Sequence, residues 1–141
     1  MGVTLDDDAR QYLAAFEDVT GVDGRDCLVT DGGDSLLIVV ERGGMGEAIG
    51  PDGRTVKRFE DRADAQVRLV EDADNAAEFV ANALAPAAVY NVTISENDDT
   101  VAYVEVAQAD HGVAIGTNGR TIDAARTLAK RHFGIDDIQL L

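Results

Sequence analysis

Two stretches of this chain have the residue types and spacing of an anion grip. They are Ile49-Gly50-Pro51-Asp52-Gly53-Arg54-Thr55-Val56 and Ile115-Gly116-Thr117-Asn118-Gly119-Arg120-Thr121-Ile122. Glycine at both ends of a turn removes Cβ atoms, so another chain can come close to the backbone. The amides that open the following helix have no intrahelical acceptor and favour anionic groups. Arg54 and Arg120 stand at that opening, where a guanidinium can fork onto a phosphate. Lys57 and Arg58 add positive charge to the first copy. Ile49 with Val56, and Ile115 with Ile122, are placed to floor a narrow groove beside each turn. Bases would lie over this aliphatic floor while phosphates follow the glycines, an arrangement suited to unpaired strands rather than a duplex. The chemistry on offer is the binding of a flexible polyanion.

Two glycines three residues apart often do no more than make a connection. Here the elements around them repeat as well. Each half reads helix, strand, strand, short helix, Gly-x-x-Gly, helix, strand. In the first half, Thr4 with Asp7 reads as an N-cap, followed by Leu5, Ala9, Leu13 and Phe16 at helical spacing. Strands follow at 27–29 and 36–40, then the turn, then a helix striped by Val56, Phe59 and Ala63, and a strand at 66–70. The second half restarts near Ala73. It gives a helix over 74–85 and a strand over 88–95 that alternates through Tyr90, Val92 and Ile94. A hairpin turn at 96–99, a strand at 101–106, the second turn, a longer helix and a last strand at 138–141 complete it. These patterns divide the chain into two units, 1–72 and 73–141.

The 141 residues carry 27 acids against 12 bases, a net charge of -15. Such a charge repels polyanions at long range. Asp dominates the acids, and Lys57 and Lys130 are the only lysines, a composition that points to adaptation to high salt. Near 1 M salt the Debye length falls to about 3 Å, so local geometry outweighs bulk charge. The cations Arg42, Arg54, Lys57, Arg58, Arg62 and Arg68 cluster around the first turn. In the second copy Asp123 stands where the first has Lys57, so the two grooves are not expected to be equivalent.

Little in the sequence supports an enzyme. His111 and His132 are far apart, Cys27 is alone, and no metal-ligand spacing or nucleophile motif is present. Gly43, Gly44, Gly46 and Gly50 miss the dinucleotide-binding spacing because Ile49 stands where its last glycine belongs. No cofactor or metal is expected. No apolar run approaches the length of a membrane span or reads as a signal peptide, which points to the cytoplasm.

The two turns, with the preceding Gly46 and Gly112 and the helix-first order, resemble tandem KH domains of the NusA kind. The resemblance is specifically to the short archaeal NusA-like proteins, and it covers nearly the whole chain from about residue 4. It implies an α+β fold of two type II KH domains, each a three-stranded mixed sheet covered on one face by helices. It also implies single-stranded RNA binding tied to transcription elongation or termination, with nascent RNA and RNA polymerase as partners. A monomer is favoured. Many KH turns carry a base between the glycines; this chain has Pro51-Asp52 and Thr117-Asn118, and Asp52 would repel a nearby phosphate. Changing Gly116 and Gly119 together to Asp is expected to abolish most RNA binding and leave the fold intact. The alternative function is an acidic interaction module that docks on polymerase or a ribonucleoprotein with little RNA binding of its own.

Overall fold

The computed structural model describes residues 6–141. Contacts group them into two compact units, the first ending at Asp72 and the second starting at Ala73. The first unit contains α1 (Asp7–Thr20), β1 (Gly24–Thr30), β2 (Ser35–Val40), α2 (Met45–Ile49), α3 (Arg54–Ala63) and β3 (Gln66–Glu71). The second repeats the order with α4 (Ala76–Leu84), β4 (Val89–Glu96), β5 (Thr100–Val106), α5 (His111–Ile115), α6 (Arg120–Phe133) and β6 (Asp137–Leu140). Each unit has one three-stranded mixed sheet, ordered β1-β2-β3 and β4-β5-β6. The hairpin pairs, β1 with β2 and β4 with β5, are antiparallel; β3 joins β2, and β6 joins β5, in parallel. A parallel neighbour needs a crossover connection, and here the two helices flanking each glycine turn supply it.

The first core forms where the helical and strand periodicities meet. Ala9, Leu13 and Phe16 of α1 are buried with Leu36, Ile38 and Val40 of β2 and Phe59 of α3. The Phe16 and Phe59 rings meet edge to face with centroids 5.2 Å apart, a favoured aromatic geometry. Cys27 is a buried thiol in the same cluster. Every residue from Leu36 to Val40 is buried, whereas β5 alternates, with Ala102, Val104 and Val106 buried and Tyr103 and Glu105 exposed. The continuous apolar run and the alternating one therefore mark two different strand environments.

Several element ends differ from the sequence expectation. Asp6 caps α1, its Oδ1 accepting the Ala9 amide at 2.8 Å; Thr4 and Leu5 lie outside the described residues. Helix α4 starts later than residue 74 because Asn75 is in extended backbone and its side chain accepts the Glu78 amide at 2.8 Å. The alternation through Tyr90 is broken by a bulge, with the register slipping between Val89 and Asn91 and Tyr90 left 70% exposed. A matching slip between Gly24 and Asp26 marks β1, so both units twist the start of their first strand. The extra residues of the second unit lengthen its last helix: α6 has 14 residues against 10 in α3.

Candidate nucleic-acid interface

The two turns have nearly the same backbone. Short helix α2 ends as the Gly50 amide bonds the Gly46 carbonyl at 2.9 Å, and α5 ends the same way from Gly116 to Gly112. The first glycines have φ 76°, ψ 175° (Gly50) and φ 78°, ψ 168° (Gly116), a region open essentially to glycine alone. Next come left-handed Asp52 (φ 55°, ψ 28°) and Asn118 (φ 56°, ψ 26°), then left-handed Gly53 and Gly119. Asp and Asn are the non-glycine residues that best tolerate this conformation. Asp52 and Asn118 thus suit the left-handed backbone that the two turns adopt.

The glycines of each pair have different tasks. A Cβ on Gly50 would land on Thr55 Oγ1, and one on Gly116 would stand 2.8 Å from the Thr121 amide nitrogen. The first glycine is therefore required by the turn itself. A Cβ on Gly53 would meet nothing within 4 Å, and one on Gly119 would meet Asp123 Oδ2 at 3.3 Å. Gly53 thus has open space beside it, Gly119 faces the end of the Asp123 side chain, and neither first glycine has room for a side chain. Asp at both 116 and 119 is therefore not expected to spare the fold, because a side chain on Gly116 meets the Thr121 backbone and makes the turn shift.

Pro51, Asp52, Thr117 and Asn118 are exposed, so both turns are open to solvent. Ile49 is 39% and Ile115 42% exposed, and Val56 is half-buried. Ile122, expected to line the floor, is 5% exposed and belongs to the core beneath it. Val113 on α5 is also exposed, but two residues before Ile115 it points to a different side of the helix; Glu47 holds the matching position on α2.

No side chain caps α3 or α6, whose N-terminal neighbours are Gly53 and Gly119. Arg54 and Arg120 are exposed at these openings. Arg54 Nε donates to the Pro51 carbonyl at 3.2 Å, bracing its own turn. Lys57 pairs with Asp61 at 3.1 Å, and this hydrogen bond raises its pKa. Arg58 is exposed and makes no ion pair with a described residue. Arg126 and Lys130, further along α6, are tied to the sheet: Arg126 to Asp137 and the Ile138 carbonyl, each at 3.0 Å, and Lys130 to Asp136 at 2.9 Å. Among the described residues no cluster of three or more His, Cys, Asp or Glu could hold a metal, and no helix is long and apolar enough to cross a membrane.

Two units with one element order, one mixed-sheet topology and one glycine turn define a tandem KH-type protein. Residues 76–140 match the family described as the NusA-like second KH domain. The chain is 60% identical to the probable transcription termination protein NusA of Halococcus morrhuae, over 99% of both chains. It is 56% identical to the protein of that description from Halobacterium salinarum, again over 99% of each, and 29% identical to one from Methanococcus vannielii. The crystal structure of APE1850 has this fold, with a TM-score of 0.83 and 24% identity, covering 97% of this chain and all of that one. The chain belongs to the archaeal NusA-like family.

Proposed function

We propose that this protein binds single-stranded RNA during transcription elongation and termination, gripping the backbone at two Gly-x-x-Gly turns, one in each KH domain (1–72 and 73–141). The observation that carries the grip is the matched pair of solvent-open turns, each with a left-handed bend and an uncapped helix start. Phosphates would follow Gly50 to Arg54 and Gly116 to Arg120. Ile49, Val56 and Ile115 would carry the bases, while Lys57 and Arg58 supply charge in the first unit. The role is binding, without catalysis. The named relatives are described as probable transcription termination proteins, which supports action on nascent RNA in the cytoplasm and contact with RNA polymerase. A monomer suffices, since each unit carries its own turn.

Titration of short unstructured RNA oligomers in high potassium chloride tests the grip. Arg54→Ala with Arg120→Ala should weaken binding about tenfold or more, since hydrogen bonds to charged groups contribute ~1.5–3 kcal/mol. Equal affinity for this variant and the wild type would remove the mechanism. The second reading is an acidic module that docks on polymerase. It is favoured by one observation, the pairing of Lys57, Arg62, Arg126 and Lys130 with acids. Polymerase binding by a wild-type chain that binds no RNA would select it.

A further inference from the structure

We infer that Thr55 and Thr121 are positioning residues of the two turns, acting through the side-chain oxygen and not through the methyl group. The inference rests on reading those turns as the RNA grip. In each unit the threonine lies two residues past the second glycine and folds back onto the first. A Cβ on Gly50 would overlap Thr55 Oγ1; one on Gly116 would stand 2.5 Å from Thr121 Oγ1. The hydroxyl thus fills the side of the first glycine that a side chain would otherwise occupy.

Ordinary uses of a threonine at a helix start are missing here. Neither α3 nor α6 has a side-chain cap hydrogen bond, and neither hydroxyl bonds a described residue, though both threonines are half-buried. Neither hydroxyl is wholly shut off from solvent, so water can satisfy it and no protein partner fixes it. What remains is its size and polarity. An oxygen is smaller than a methyl and can accept a weak contact from a glycine Cα–H. It therefore lets the helix start press against the first glycine and hold it in its glycine-only conformation. Asp52 or Asn118 and the following glycine are then aimed outward. Valine offers no such choice, since both of its γ positions are methyl groups. Serine keeps the oxygen.

The test uses the full chain and an unstructured RNA oligomer in high potassium chloride. Thr55→Val with Thr121→Val should bind about tenfold more weakly, because a binding constellation tolerates only about 0.5 Å of displacement. Thr55→Ser with Thr121→Ser should stay within about twofold of wild type. Amide resonances of Gly116, Asn118 and Gly119 should move in the valine variant and keep their positions in the serine variant. Valine binding like wild type, or serine as weak as valine, overturns the role. If the valine variant fails to fold, Thr→Ala replaces it: alanine weak and serine normal supports the oxygen, and equal affinities overturn it. Arg54→Ala with Arg120→Ala runs alongside. If it too binds like wild type, the grip itself is wrong; if it alone weakens binding, only the threonine role falls.

Discussion

Asp52 and Asn118 occupy the same left-handed backbone position, and they differ by one charge. Both residue types tolerate that conformation, so exchanging them changes electrostatics with little change in strain. Asn118→Asp should weaken RNA binding severalfold, and Asp52→Asn should strengthen it, with thermal midpoints unchanged; oligomer titration beside thermal unfolding reads both. A shared shift in midpoint would mean that the charge acts on the fold. The glycines allow a separate prediction. Gly53→Ala places a residue in the left-handed region with open space around it, which costs about 1–2 kcal/mol. Gly50→Ala combines a glycine-only conformation with contact on Thr55 and should cost about 3 kcal/mol or more. Chemical denaturation of the two variants orders them. Equal costs would mean that the turn relaxes around Gly50.

At the scale of elements, each unit ties its last helix to its last strand, and the two units do so with opposite chemistry. In the first, Glu60 Oε2 accepts the Val67 amide at 2.9 Å. In the second, Arg126 donates to the Ile138 carbonyl at 3.0 Å while its Nε lies 3.0 Å from Asp137, as a close ion pair rather than an aligned hydrogen bond. Both arrangements occupy a backbone group on an edge strand, which blunts edge-to-edge pairing. Asp136 adds a second tie. It accepts the Thr100 amide at 2.9 Å and pairs with Lys130, and the amide bond first, then the lysine, lowers its pKa from the ordinary 3.8. A lowered folded value means that this stabilisation is full above the ordinary carboxyl pKa and is lost as pH falls through the lower one. Asp136→Asn should therefore flatten the acid limb of the stability curve below about pH 4. Parallel acid limbs for wild type and variant would show that Asp136 contributes nothing. These ties explain which parts of the sequence could be read. Element order and both turns were visible because glycine spacing and periodicity are local. The roles of Arg126 and Lys130 were not, since a basic helix face looks the same whether it meets RNA or the acids of a neighbouring strand. The burial of Ile122 was hidden because it depends on how far α6 is rotated toward its sheet. The Tyr90 bulge was hidden because an inserted residue leaves the apolar alternation looking intact.

For the whole molecule, the open question is how a chain with a net charge of -15 holds a polyanion. A basic nucleic-acid-binding protein releases counterions on binding, so its affinity falls steadily as salt rises. Here the local cations are few, and several face acids: Lys57 meets Asp61, Arg62 meets Asp18 and Lys130 meets Asp136. The long-range term is repulsive, and it is screened first as salt is added. In the proposed grip the short-range term would come from backbone amides, turn geometry and the exposed aliphatic side chains, and it would be less sensitive to salt. The two terms together predict that affinity for an RNA oligomer rises between about 0.1 M and 1 M potassium chloride, where the Debye length drops from about 10 Å to 3 Å. Folding stability should rise over the same interval as self-repulsion is screened. Titrations at fixed temperature, with the folded fraction measured at each salt, separate the two effects. A steady fall in affinity with salt, in samples that remain folded, would show that counterion release at Arg54, Arg58 and Arg120 dominates and that the acidic surface lies too far from the bound strand to matter.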